Sequence, residues 1–252
     1  MEKITSAQNA AVKRLKSLND IKARKRERAC LVEGEVMIGE ALGSGLKPLE
    51  ALFEEETPLC LRLMEAGAQV RLCTRNVLES ACDTVSPQGC CASFQLMDRT
   101  VDEGARLLLA LDGVQDPGNL GTILRTMDAA GFAGAFLSEA CADVYSPKVQ
   151  RSAMGSAFRM PTQRGDLTKK LTELKAQGFR IVVSDLSGGN LYESRFSPND
   201  KLLLVIGNEA RGVSEPVKAL SDIRVKIPMR GRAESLNAAV AAGILMYELT
   251  RP

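Results

Sequence analysis

The sequence contains no histidine and no tryptophan, and only ten of its 252 residues are aromatic. The absence of histidine removes the commonest general base from any mechanism. The seven cysteines are odd in number and none are spaced C-x-x-C, so no metal site is expected. Their number and spacing favour a reduced, cytoplasmic protein. No apolar run approaches the roughly 18 residues that cross a bilayer, so no membrane span is predicted. The amino terminus is charged rather than signal-like.

Two common nucleotide-binding signatures are also missing. Neither G-x-G-x-x-G nor G-x-x-x-x-G-K-[ST] occurs, which removes the main support for a nicotinamide or nucleotide-triphosphate enzyme. What is present is ordinary for a globular protein, with 45% hydrophobic and 25% charged residues. The length allows one large domain or two modest ones, each with a proper core.

Positive charge is concentrated near the amino terminus although the net charge of the chain is only +2. Between Lys13 and Arg28, eight basic residues stand against two acidic ones, so this segment carries +6 and the rest of the chain −4. A concentration of this kind suggests a polyanionic partner. A solvated helix face is the alternative explanation.

Alternating strand and helix patterns predict two α/β units joined near residues 97–104, giving domains at 1–100 and 105–252. In the first unit we predict a helix capped by Thr5 or Ser6, followed by short strands and helices. In the second we predict a mostly parallel sheet with helices on both faces. Its predicted strands cover 107–111, 133–137, 179–185, 202–206 and 223–227, and its predicted helices cover 122–130, 146–157, 167–177 and 238–247.

Three loops of the second unit follow buried strands and combine glycines with one or more polar side chains that could bind a ligand. They hold Asn119 in the first loop, Asn208 and Glu209 in the second, and Ser235 and Asn237 in the third. Such loops lie at the carboxyl ends of strands, where open α/β sheets bind their ligands. Taken singly each loop is weak evidence, because glycine–asparagine sequences at strand ends are usually only turns.

Taken together, the loops resemble a known family. The segments 119–126 (NLGTILRT), 206–212 (IGNEARG) and 227–237 (IPMRGRAESLN) are similar, in order and spacing, to the three motifs of the SpoU/TrmH RNA ribose 2′-O-methyltransferases of the SPOUT superfamily. Residues 146–155 resemble that family's intermediate helix, with a methionine where a smaller residue is commoner. The first unit resembles the small substrate-binding domain that precedes the catalytic domain in many members, through VEGE at residues 32 to 35 and VSPQG at 85 to 89.

The resemblance implies a deep trefoil knot in the carboxy-terminal part, which pattern reasoning alone would reject because knots are rare. It also implies a bent S-adenosylmethionine held largely by main-chain groups. The residues that the resemblance assigns to this cofactor are Gly207, Asn208, Ile227, Met229, Gly231 and Leu236. Simple core packing is the alternative for Ile227 and Leu236.

The implied reaction transfers a methyl group from a sulfonium to a ribose hydroxyl. It requires alignment of oxygen, carbon and sulfur and loss of the hydroxyl proton. The resemblance places Arg125 nearest that hydroxyl. Because arginine stays protonated, we expect it to bind the adjacent phosphate and polarise the hydroxyl rather than act as a base. An inter-helix salt bridge is the alternative for Arg125 and Glu209.

The other motif residues are expected to support this arginine. Asn119 and Asn237 would position Arg125 and the ribose, Glu209 would pair with a guanidinium, and Ser235 would bond near the target. The predicted RNA contacts are Lys13, Arg14, Arg24, Lys25, Arg26 and Arg151.

The helix over 238–247 is apolar all round, so it is either enclosed within one subunit or packed across an interface. The resemblance favours the interface and hence a homodimer. Ribosomal RNA is the preferred substrate, because a separate binding domain and a basic segment suit a large folded target. Transfer RNA is the alternative substrate. A non-catalytic RNA-binding or assembly protein on the same fold is the alternative function.

Overall fold

The computed structural model describes residues 3–251, which form two compact α/β units. The first unit contains the chain up to Asp98 together with Tyr145–Arg159, and the second contains Arg99–Val144 and the chain from Met160 onward. Residues 145–159 therefore pack with the first unit, although they lie between elements of the second. No helix within residues 3–251 is long and apolar enough to cross a membrane.

The first unit is built on a five-stranded mixed sheet. The strand order is β1-β4-β3-β5-β2, with β1, β4 and β3 parallel and β5 antiparallel to both of its neighbours. Its elements are β1 (Lys3–Ile4), α1 (Ala10–Ser17), α2 (Ile21–Glu27), β2 (Ala29–Glu33), α3 (Glu35–Gly43), β3 (Pro48–Phe53), α4 (Pro58–Glu65), β4 (Gln69–Cys73), α5 (Arg75–Ala81) and β5 (Cys90–Gln95).

The basic segment forms two helices, and the predicted caps at Thr5 and Ser6 are wrong. Asn9 caps α1 by accepting a hydrogen bond from the backbone N–H of Ala11 at 2.9 Å. Asp20 caps α2 by accepting one from Lys22 at 2.7 Å. Each short polar side chain satisfies backbone donors of a first helical turn, and so starts a helix where it stands.

Residues 145–159 form α7 (Pro147–Ala153) and α8 (Ser156–Arg159) instead of the single helix predicted over 146–157. The break comes at Met154 and Gly155, which both have positive φ. A Cβ on Gly155 would lie 2.6 Å from the Glu40 carboxylate, so the turn packs closely on α3. The Arg159 guanidinium forms an ion pair with the same carboxylate. These contacts hold the segment in the first unit.

The second unit is built on a six-stranded sheet in which every pairing is parallel. The strand order is β11-β9-β10-β6-β7-β8. Its elements are β6 (Leu107–Asp112), α6 (Pro117–Ala129), β7 (Ala135–Leu137), β8 (Thr162–Arg164), α9 (Leu167–Ala176), β9 (Arg180–Asn190), a 3₁₀ turn (Leu191–Glu193), β10 (Leu202–Gly207), α10 (Glu215–Lys218), β11 (Ile223–Lys226) and α11 (Ala238–Leu249).

Both faces of this sheet are covered. Leu108 and Leu203 form one core with the apolar residues of α9 and α10. Their neighbours Leu109 and Leu204 alternate to the opposite face and are also fully buried. Helices α6 and α11 pack on each other, and α11 contacts β10. The predicted parallel sheet with helices on both faces is confirmed.

Candidate active site

The three motif loops leave the same edge of the second sheet. They follow β6, β10 and β11, which run in one direction, so their carboxyl ends point the same way. Each loop then leads into a helix: the first into α6, the second into α10 and the third into α11. The parallel topology thus brings together segments that are up to about 120 residues apart in the chain.

A chain of hydrogen bonds links Asn119, in the first turn of α6, with Glu209 of the second loop and Asn237 at the end of the third. Asn119 donates from Nδ2 to Glu209 Oε1 at 3.0 Å, and Asn237 donates from Nδ2 to Asn119 Oδ1 at 2.8 Å. Asn237 also caps α11, accepting from the backbone N–H of Ala239 at 2.9 Å. Glu209, for which the sequence suggested a guanidinium partner, accepts from an amide instead.

Asn208 fixes the second loop against the first. Its Nδ2 donates to the carbonyl of Gly113 at 2.8 Å, and its Oδ1 accepts from the backbone N–H groups of Ala210 and Arg211 at 3.0 and 3.1 Å. The loop then folds back on the strand end, and a Cβ on Gly207 would lie 2.2 Å from the backbone of Gly212. Glycine at 207 is therefore required by the fold of the loop itself.

The second and third loops line a cavity of about 350 Å³, a size in the usual range for small-ligand sites. Among the residues predicted to bind a cofactor, those that line the cavity are Gly207, Asn208, Ile227, Met229 and Leu236. Gly231 does not line it. Ile227 is half-buried and Leu236 is exposed, so neither is a core residue. Ser235 and Glu209 also face this cavity.

The sequence prediction missed one wall of the cavity, formed by a bulge in β9. The pairing with β11 jumps from Val183 to Gly189, and the residues between them leave the ladder. Asp185 lies in this bulge and contacts Lys218, whose Nζ is 3.4 Å from the carboxylate. A hydrogen bond from the backbone N–H of Ser187 lowers the pKa of Asp185, so the carboxylate stays ionised. The paired glycines at 188 and 189 were the available signal.

Arg125 lies on the exposed side of α6, and its guanidinium forms no hydrogen bond or ion pair with any residue in the described range 3–251. The alternative of a salt bridge to Glu209 is therefore wrong. Arg211, Arg230 and Arg232 are also exposed and unpaired within that range. Unneutralised positive charge at the loops that form a cavity suits an anionic substrate.

The residues of the first unit that were predicted to contact RNA differ in their exposure and in whether they already form ion pairs. Lys13 and Lys25 are exposed and unpaired among the described residues. Three of the others are exposed but paired: Arg14 with Glu50, Arg26 with Glu27 and Arg151 with Asp83.

Arg24 is not available, and its prediction as a surface contact is wrong. Only 5% of this residue is exposed, and its Nη1 donates to the carbonyl of Leu18 at 2.7 Å. The guanidinium binds a carbonyl near the end of α1, and this fixes the turn between the two basic helices. A residue that the sequence did not suggest, Lys47, lines a groove of about 630 Å³ with Lys13, Arg14 and Arg26.

An all-parallel sheet with a small-ligand cavity at its carboxyl edge, and arginines on the same loops that are unpaired among the described residues, is the arrangement of an α/β protein that binds a small ligand next to an anionic partner. The chain belongs to the SpoU rRNA Methylase family, which it matches over residues 106–247. Residues 9–92 match the MRM3-like substrate binding domain.

The similarity to two of the relatives extends over nearly the whole chain. The 23S rRNA (guanosine(2553)-2′-O)-methyltransferase RlmP of Bacillus subtilis is 37% identical over 99% of both chains. The AdoMet-bound rRNA methyltransferase from Sinorhizobium meliloti superposes with a TM-score of 0.89 at 29% identity, covering 98% of this chain and 97% of the other. The A. aeolicus TrmH/SpoU tRNA modifying enzyme is 31% identical with a TM-score of 0.52, covering 61% of this chain and 76% of its own.

The protein is therefore an RNA ribose 2′-O-methyltransferase that uses S-adenosylmethionine. The cavity fits this cofactor by its chemistry as well as its size. Ile227, Met229 and Leu236 would provide apolar surface for an adenine ring, and the carboxylates of Asp185 and Glu209 would suit the positively charged sulfonium and amino groups. Within residues 3–251, no group of three or more cysteine or acidic side chains is arranged to hold a metal ion.

Proposed function

We propose that this enzyme methylates a ribose of 23S ribosomal RNA, at the nucleotide equivalent to the guanosine named for the Bacillus subtilis relative. The observation that carries the proposal is the extent of the match. The rRNA enzyme aligns over 99% of both chains, including the substrate-binding unit, whereas the tRNA enzyme from A. aeolicus covers only 61% of this chain. Because a separate domain selects the RNA, similarity in that domain bears on the substrate more than similarity in the catalytic domain does.

We assign the site residues as follows. The cavity lined by Gly207, Asn208, Ile227, Met229 and Leu236 holds the cofactor, which supplies the methyl group.

Arg125 binds the phosphate next to the target ribose and polarises the 2′-hydroxyl. Its exposure and its lack of a partner within residues 3–251 support this role, because its charge is free for an incoming phosphate. Ser235, at the cavity wall, bonds near the target ribose. Asn119, Glu209 and Asn237 hold the loops at the spacing that the aligned transfer requires.

Ribose-methylation mapping of total RNA from cells with and without the protein tests the substrate. We expect one 23S rRNA position to lose its methyl group when the gene is absent. Methylation lost from a tRNA would contradict the rRNA assignment. Failure of the purified protein to bind S-adenosylmethionine would indicate a non-catalytic assembly protein instead.

The role of Arg125 is tested by Arg125→Ala, which should lower methyl transfer about 100-fold or more, an expectation based on the loss of a charge-assisted contact to the reacting site. Cofactor binding should be retained, because Arg125 does not line the cavity. Arg195→Ala removes another exposed arginine that is unpaired among the described residues and should leave the rate unchanged. Near-normal turnover of Arg125→Ala would contradict the assignment.

We also propose a homodimer formed through α11. Val240 and Tyr247, seven residues apart on one side of this helix, are 53% and 56% exposed. The opposite side, with Ala242, Leu245 and Leu249, is buried within the unit. An exposed apolar stripe of this kind supports a subunit interface. The similarity to rRNA enzymes supports a cytoplasmic location, and the linked loops are compatible with the trefoil knot that the family resemblance implies.

A further inference from the structure

We propose that a second cavity, located within the first unit, holds an unstacked nucleobase of the RNA substrate. The cavity has a volume of about 360 Å³ and lies between the β2–α3 turn, the loop after α5 and helix α7. All three elements belong to the first unit. The inference rests on the proposed function only in taking RNA as the ligand. It adds a site that is separate from the cofactor cavity.

The rim of this cavity carries apolar side chains that the fold leaves exposed. Val36, at the start of α3, is 68% exposed, and Met154, after α7, is 48% exposed. Met154 has φ 48° and ψ 50°, the left-handed conformation that a helix end usually gives to glycine or asparagine. A methionine is strained there, and a thioether next to an aromatic ring makes a favourable contact. Contact with the ring of a bound base would therefore explain why a methionine occupies this strained position.

The floor of the cavity offers a fixed hydrogen-bond acceptor. Gln150 is only 4% exposed, and its Nε2 donates to the carbonyls of Leu31 and Tyr145 at 2.9 and 2.8 Å. Both amide hydrogens are used, so the side chain cannot rotate by 180° without losing both bonds. Its Oε1 accepts no hydrogen bond from any described residue. It is therefore free to accept one from the amino or imino N–H of a base.

Arg151 adds a planar surface at the same cavity. Its guanidinium is 3.1 Å from the Asp83 carboxylate, which restrains its orientation and neutralises its charge. Guanidinium planes stack on unpaired RNA bases. A phosphate would favour an unpaired cation, and a peptide helix would require a longer apolar groove. The cavity combines a hydrogen-bond acceptor on Gln150, the planar guanidinium of Arg151 and the thioether of Met154. This combination matches a nucleobase better than it matches a phosphate or a peptide helix.

Steady-state kinetics on unmethylated 23S rRNA from cells lacking the protein tests this site. Met154→Asn keeps a residue that tolerates the left-handed conformation but removes the apolar surface. We expect its KM for RNA to rise about fivefold, the equivalent of one sulfur–aromatic contact, with cofactor affinity and thermal stability retained. Val36→Thr, which is nearly isosteric, should also raise KM, and Met154→Leu should recover most of the affinity. Leu61→Gln alters an exposed apolar residue of α4 outside the cavity and should have no effect.

An unchanged KM for RNA in both Met154→Asn and Val36→Thr would overturn the proposal, and would leave a protein or peptide as the occupant. A binding readout separates this failure from failure of the proposed function. A photoreactive side chain at position 36 should cross-link one unpaired nucleotide in total RNA, whether or not that RNA is methylated. Cross-links spread over many paired positions would also overturn the assignment.

Discussion

At the scale of single residues, the geometry of the active site depends most directly on Asn119. Both ends of its amide are used, one donating to Glu209 and the other accepting from Asn237. Asn119→Asp replaces the donor with a second carboxylate next to Glu209. Two ionised carboxylates repel and neither can donate a hydrogen bond, so the substitution should separate the loops and lower methyl transfer at least about tenfold.

Part of the loss should be recovered by a compensating change, although Glu209→Gln also removes a carboxylate from the cofactor cavity. In Asn119→Asp with Glu209→Gln, the amide at 209 can donate to the carboxylate at 119, which restores the bond with opposite polarity. Asn199→Asp makes the same charge change at an exposed position before the start of β10, whereas the loops follow the ends of the strands, and should be neutral. Equal activity of Asn119→Asp and the wild type in a methyl-transfer assay would show that this bond does not hold the site together.

The residue scale also shows which side chains sequence reasoning can place. Asn119 and Asn237 could be grouped because both belong to loops at strand ends, and parallel strands bring such loops to one edge. Arg24 could not be placed, because its burial depends on how α1 turns into α2 and not on its own neighbours in the sequence. Asp185 was missed because the bulge that carries it is set by pairing with β11, which lies nearly 40 residues further along the chain.

At the scale of elements, the loop after β10 depends on glycine at its first position. A Cβ on Gly207 would lie 2.2 Å from the backbone of Gly212 and 2.3 Å from that of Val213. Backbone cannot move aside as a flexible side chain does, so Gly207→Ala should destabilise the fold by about 2 kcal/mol or more and abolish tight cofactor binding. Urea unfolding and S-adenosylmethionine titration measure the two effects.

Gly165→Ala is the matched control for this substitution. A Cβ at position 165 would meet no atom within 4 Å, and this glycine does not have a positive φ. The free energy of unfolding of Gly165→Ala should differ from that of the wild type by less than about 0.5 kcal/mol, the range for surface substitutions. If both variants lost stability equally, the crowding at Gly207 would not be the cause.

Some elements are determined by their own sequence, and others by contacts with residues far away in the chain. The strand at 202–206 is a continuous apolar run, and the structure buries every one of its side chains on a parallel sheet. The break between α7 and α8 is different. Its pattern suits one helix, but close packing of Gly155 on Glu40, more than 100 residues earlier, determines where it bends. The packing of residues 145–159 with the first unit has the same non-local origin. The trefoil knot stays a prediction.

At the scale of the whole molecule, the concentration of positive charge has a structural counterpart in the groove of the first unit. Lys13 and Lys47 line it without an ion pair to any residue the structure describes. Replacing both with glutamate should reduce the slope of log affinity against log salt by about 1.5, since each phosphate contact contributes about 0.7 to 0.9. Filter binding of 23S rRNA at several salt concentrations measures it.

A control for this effect must change net charge equally without altering the groove. Lys22→Glu with Lys169→Glu does so, because both lysines are exposed and neither lines the groove. We expect its slope to stay close to that of the wild type. A similar reduction in both double variants would mean that overall charge, and not the groove, sets the affinity for RNA.

The proposed homodimer is argued from the two sides of α11. Its sequence is apolar all round, and the structure buries one side against α6 and β10 while Val240 and Tyr247 remain exposed on the other. A second copy of the chain would cover this stripe, and Val240→Asp would place an unpaired charge in that interface, where it is costly. Light scattering at micromolar concentration should therefore give twice the mass of one chain for the wild type and a single chain for Val240→Asp. Tyr192→Asp, at an exposed aromatic outside α11, should remain dimeric. A wild type with the mass of one chain would contradict the proposal that the exposed face of α11 forms a dimer interface.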